Sequence, residues 1–262
     1  MTKQELKEYL KPIAVGMFGK QGAGPRYQRP QFAIRPLGEI LENLAPISDI
    51  DWCQYAFSTE PLNRKFTDEE RRSYAEKCIA CGKEYARRLM REYGAQDALQ
   101  LARALHMIVE YPDYPEKTDR VMFAEFREPN HINIFMDAVR RSKAQLADAA
   151  VCAVMTENPD ISNILLAHEL FHYVEETHKN EIYTRTEKIN LWHVGKFYNR
   201  STVIAFSEIA AMAFAKELTG ISFSPYLLDV FLVYGYSPQE AGGLYESMMQ
   251  YAGLPVIERT TT

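Results

Sequence analysis

The sequence predicts an α+β fold, mostly helical with a small twisted β-sheet, and three observations predict it. Long stretches carry helix start and stop signals at helical spacing. Two short β-rich runs flank a Glu128-Pro129-Asn130 turn. The C-terminal half holds two strongly apolar helical segments, each bearing residues able to ligate a metal ion.

Taken in order, residues 1–66 read as irregular, with short helices over 3–10 and 37–43. Thr67 and Glu70 then form a capping-box pattern, opening a long helix that Gly94 stops. Its apolar or aromatic residues Tyr74, Cys78, Cys81, Tyr85, Leu89 and Tyr93 recur three or four apart, a stripe that wants a packing partner. The expectation is an N-terminal helical region, 1–94, docked on a main domain, 95–262. A helix over 96–105 leads to a short strand at 107–109, and a hairpin follows, with strands over 121–126 and 132–135. From Asp137 the chain reads as helical almost to its end. Asn158-Pro159-Asp160 breaks it, and further helices follow over 161–178 and 202–218. Two more open at Ser224-Pro225 and at Ser237-Pro238, each with Ser at N-cap and Pro at N1.

The chain has 262 residues, 47% hydrophobic and 25% charged, which is an ordinary globular composition. Its net charge of −5 provides no overall basic field for nucleic acid. Lys20, Arg26, Arg29 and Arg35 lie in a Gly- and Pro-containing stretch that reads as a loop with solvated charges. No apolar run approaches the roughly 20 residues that span a bilayer, and the N-terminus lacks the apolar core of a signal peptide. Four Cys make no disulfide framework, so the expected location is the cytoplasm. Cys78 and Cys81 form a lone C-x-x-C inside a helix and read as structural, with no second pair to complete a metal site.

His168-Glu169-Leu170-Phe171-His172 is an H-E-x-x-H motif on a helical segment that is apolar nearly all round. Two His at i and i+4 differ by about 40° around a helix, so both rings can converge on one ion. Glu169, beside them, is placed to take a proton from a metal-bound water rather than to bind the ion. Two residues compete as third ligand. His178 has the metzincin spacing, but Glu175 stands where that pattern needs a turning Gly. If the helix continues, His178 points about 240° away from His172. Glu208 is the stronger candidate: it lies 36 residues after His172, at one end of an apolar helical face formed by Ala211, Phe214, Ala215 and Leu218.

With these motifs in this order, the sequence resembles the ImmA/IrrE family of small gluzincin-like metallopeptidases. The matching segments are 107–109, 132–134, 166–172 and 208–218, covering roughly residues 95–220. The resemblance implies a compact metallopeptidase core holding one zinc ion on His168, His172 and Glu208. It also implies an edge strand over the cleft, either 121–126 or 132–135, where an extended peptide or protein substrate would bind. Family members cleave bacterial regulatory proteins. Met212 stands where thermolysin-like enzymes have an Asp supporting the first His, so another partner must orient His168.

The expected activity is zinc-dependent peptide hydrolysis with Glu169 as base. A donor for the developing oxyanion is expected from Tyr183, Arg185, His193, Tyr198 or Arg200, with His193 first, then Tyr198, Tyr234 and Tyr236. His106 and His131 read as edge residues rather than ligands. Two other classes fit the motif: a non-catalytic metal-containing binding protein on the same fold, and a metal-dependent small-amide hydrolase. Glu169 favours the enzyme, since a scaffold needs no base beside its ligands.

Overall fold

The computed structural model describes residues 32–114, 122–156, 159–194 and 197–256, with the side chains of 192–198 outside that description. The expected helix over 3–10, together with Lys20, Arg26 and Arg29, lies outside the described residues. Arg35 is engaged within the fold, 3.7 Å from Glu39 and over the Tyr245 ring. Among the described residues no helix is long and apolar enough to cross a membrane.

The fold is α+β and mostly helical, with a small mixed sheet. Short helices α1 (Leu37–Leu44) and α2 (Cys53–Ser58) precede the long α3 (Asp68–Tyr93). The Thr67–Glu70 capping box forms in both directions, and Gly94 ends α3 in the left-handed region. Helix α4 (Ala98–Ala104) is capped by Asp97 and leads into strand β1 (Ile108–Glu110). Strands β2 (Ala124–Arg127) and β3 (His131–Ile134) form the expected hairpin. Strand β3 is central, parallel to β1 and antiparallel to β2, which leaves β2 at the edge of the sheet among the described residues.

Helices α5 (Met136–Gln145) and α6 (Ala149–Met155) follow. Helix α7 (Ile161–Thr177) is capped by the Asp160 side chain, as the break at Pro159 suggests. Between the two ligand helices the chain departs from the expectation that it is helical almost to its end. After a single turn, α8 (Tyr183–Thr186), it forms an antiparallel hairpin of β4 (Ile189–Val194) and β5 (Phe197–Ser201). A register shift between Asn190 and Trp192 breaks the two-residue alternation, so no long strand pattern marks this segment. Helices α9 (Ile204–Thr219), α10 (Leu227–Tyr234) and α11 (Pro238–Tyr251) complete the fold. Ser237 caps α11 as expected, whereas Ser224-Pro225 opens a tight turn and α10 starts two residues later.

One hydrophobic cluster runs from α1 through α11. At its centre α9 packs against both α7 and α3. The α3 side of that contact is the predicted stripe, with Cys78, Cys81, Tyr85 and Leu89 buried. Gly82 sits among them because a Cβ there would lie 2.1 Å from the Ala210 carbonyl oxygen on α9. The two backbones therefore touch, and only a residue without a side chain fits. Burial pushes the Cys81 thiol up to about 11 and the Cys78 thiol well above its ordinary value, as suits packing rather than reactive cysteines.

Helix α9 has no side-chain cap of its own at Val203. Its start is secured from a distance: buried Glu60 accepts a hydrogen bond from the Ala205 N–H at 3.2 Å. The other Glu60 oxygen accepts from the Leu62 N–H at 3.0 Å. A carboxylate from the N-terminal third thus satisfies one of the free donors of the helix and complements its dipole.

Candidate metal centre

Helices α7 and α9 bring three of the predicted residues together. Nε2 of His168 and Nε2 of His172 are 3.3 Å apart. Glu208, on the second turn of α9, places Oε2 at 3.3 Å from His168 Nε2 and Oε1 at 3.8 Å from His172 Nε2. One ligand atom from each of the three lies within 4.8 Å of the others, a group that could hold a metal ion. The His168 contact lacks hydrogen-bond alignment, leaving buried Glu208 Oε2 without a hydrogen-bond partner. Two ring nitrogens aimed at one point and an unsatisfied carboxylate oxygen are what a cation would complete.

Burial lowers the pKa of both imidazoles, so each is neutral and can offer a lone pair. Burial also raises Glu208 to about 7, against the pull of His172. The tautomer of His172 follows from its neighbours. Ser207 donates its hydroxyl hydrogen to Glu175 Oε2 at 2.9 Å, so its oxygen accepts from His172 Nδ1–H at 3.2 Å. The proton on Nδ1 leaves Nε2 bare for the ion. Glu175 is itself buried and pairs with Arg185 at 3.2 Å. Motif spacing did not reveal this chain of contacts. The available signals were Glu175, one helical turn beyond His172, and Ser207 immediately before Glu208. Among the described residues no comparable partner holds His168 Nδ1.

These residues line a cavity of about 450 Å³ beneath β2. Phe123, Ala124, Glu125 and Phe126 form one wall, and Leu228, Asp229 and Leu232 of α10 another. Glu169 also lines it. Burial raises its carboxyl to about 7, partly offset by His168 and by the Phe126 backbone N–H.

The other candidates fall elsewhere. His178 ends α7, with Nδ1 at 2.9 Å from the Val174 carbonyl oxygen and its ring against Tyr85. It is therefore not among the converging ligands. His193 and Tyr198 are paired in the β4–β5 register, and their side chains lie outside the described residues. Tyr183, Tyr234 and Tyr236 do not line the cavity, whereas Arg185 does. Arg200 is engaged with Asn190 on the hairpin. His106 and His131 join no metal-binding group among the described residues.

Fold and site together define a mostly helical α+β protein with a half-buried His–His–Glu group that could hold a metal ion. No protein-family profile, curated protein or solved structure matches this chain.

Proposed function

We propose that the protein is a zinc-dependent peptidase acting on an extended segment of a peptide or protein. The observation that carries this reading is the convergence of His168, His172 and Glu208 beside a half-buried carboxylate, Glu169, in a cavity under a strand at the edge of the described sheet. The spacing supports zinc in particular. Tetrahedral ligands at zinc bond lengths stand about 3.3 Å apart, against observed separations of 3.3, 3.3 and 3.8 Å. Two nitrogens and one carboxylate oxygen also suit zinc chemically.

Bound there, zinc would supply a Lewis acid that acidifies a water and polarises a carbonyl. The protein's residues do the rest. Glu169, with a pKa of about 7 set by burial, accepts the proton of the attacking water and returns it to the leaving amine. The outer side of β2, which pairs with no strand among the described residues, offers backbone groups to an extended substrate, which would lie across the cavity mouth as an added strand. Ser207 and Glu175 hold His172 in its ligating tautomer throughout.

Metal analysis of the purified chain tests the ligand set. Zinc should copurify at one ion per chain, be lost in Glu208→Ala and be kept in His178→Ala. The opposite pattern would return His178 to the ligand set. Glu169→Gln should keep zinc and lower peptide hydrolysis by about 10²–10⁴-fold, the usual worth of a positioned base. Full turnover in that variant would remove Glu169 from the mechanism.

A further inference from the structure

The α10 wall of the cavity carries a carboxylate that metal binding does not use. Helix α10 is Leu-Leu-Asp-Val-Phe-Leu-Val-Tyr, and Asp229 is its one charged residue. Asp229 is 5% exposed, yet it lines the cavity. Tyr55 donates to Oδ2 at 3.0 Å. Among the described residues no Lys or Arg pairs with the carboxylate, and it lies outside the converging metal ligands. A buried carboxylate without a counterion is costly, and burial raises this one to about 7.

Other buried polar groups lie close to the Tyr55–Asp229 pair. Tyr226, stacked on Trp52 and 5% exposed, has a hydroxyl with no hydrogen-bond partner. Burial first, and then the charges of Glu208 and Asp229, hold its pKa well above the ordinary value. The Trp52 indole N–H and the Ser224 hydroxyl, both buried, are likewise unpartnered. None of these three residues lines the cavity, so they are polar neighbours of Asp229 and not contacts for a guest, and Asp229 is the carboxylate of this group that faces the space.

The surrounding cavity wall is apolar, formed by Met212, Ala215, Pro225, Leu228 and Leu232. A carboxylate set in such a wall suits a guest with a methylene stem and a cationic head. An anionic guest would face the Asp229 carboxylate. We propose that Asp229 is a specificity residue that receives the cationic head of a Lys or Arg side chain of the substrate. The stem packs on the α10 wall, and the head forms a charge-assisted pair with the carboxylate, which Tyr55 orients. The word "substrate" rests on the peptidase reading; the cation site does not.

Ligand-observed NMR titrations on the full chain, with and without zinc at pH 8, test the site. The probes are n-butylguanidinium, n-pentanol as a neutral chain of similar length, and alaninamide as a free α-amine. Butylguanidinium should bind the wild type more tightly than pentanol and lose about tenfold or more in affinity in Asp229→Asn. Pentanol should bind both proteins alike. Equal binding of butylguanidinium and pentanol to the wild type overturns the proposal even if the variant fails to fold. Undiminished guanidinium binding in a folded Asp229→Asn overturns it too. Alaninamide binding as tightly as butylguanidinium, with the same loss in the variant, would reassign the site to a peptide amino terminus and sink the side-chain proposal. Digestion of a random peptide library separates this inference from the peptidase reading. Cleavage with Lys or Arg at one fixed position, lost in Asp229→Asn, supports both, and cleavage without that preference sinks the specificity role. Guanidinium binding without any cleavage supports the cation site while overturning the peptidase.

Discussion

Asp229 also sets an expectation for stability. Its folded-state pKa of about 7 lies above the ordinary value of 3.8. Between the two, the folded chain holds a proton that the unfolded chain has lost. Stability from this group is thus full below pH 4 and declines as pH rises toward 7, by up to about 1.4 kcal/mol per pH unit. In the metal-free chain, Glu169 and Glu208, raised by burial as well, act in the same direction. Asp229→Asn cannot titrate, so denaturant unfolding from pH 4 to 8 should show it gaining on the wild type as pH rises. Parallel stability curves would contradict the assignment. Ser207 bears on the metal instead. Ser207→Ala leaves His172 Nδ1 and Glu175 without their shared partner, so metal affinity should fall about 10–100-fold by competitive chelator titration. Unchanged affinity would mean that the hydroxyl does not orient the ring. His168, Glu169, His172 and Glu208 were legible because each belongs to a pattern along one helix. Ser207, Glu175 and Asp229 act across helices, and linear spacing records no such neighbours. The one trace of Asp229 was a lone charge in an apolar helix.

Local chemistry fixes several helix ends: the Thr67 capping box, the Asp97, Asp160 and Ser237 caps, and the left-handed glycines at 94 and 220. Those ends were readable for the same reason. The β4–β5 hairpin was not, because its alternation is short and shifted in register. Nor was the start of α10, where Ser224-Pro225 suits either a cap or a tight turn. The α3–α9 contact is the element interface most exposed to a single substitution. In Gly82→Ala the new Cβ would meet the Ala210 carbonyl at 2.1 Å, which backbone cannot yield by rotating. The helices must separate, at a cost of about 1–3 kcal/mol. Ala210 lies two residues beyond Glu208, so metal affinity should fall together with stability. A variant losing neither in urea unfolding and metal titration would show that the contact is slack.

At the scale of the molecule, the sequence indicated a helical region packed on a later domain but not how the two share their interior. We expect residues 32–94 to be integral to the site, since α3 lies along the ligand helix α9 and Glu60 caps it. Limited proteolysis tests this: rapid cutting near Gly94 that releases a folded, metal-binding 95–262 fragment would refute it. The Glu60 cap has a further consequence, for the order of folding. The bond joins residues 145 positions apart, so closing it requires one of the longer loops in the chain to be ordered first. His168 and His172 share one helix and can align as soon as α7 forms. Glu208 instead waits on an N-terminal carboxylate to fix the start of its helix. On the zinc reading, an ion would therefore meet two ligands early and the third only once distant parts of the chain had met, which would make full metal retention a late event in folding.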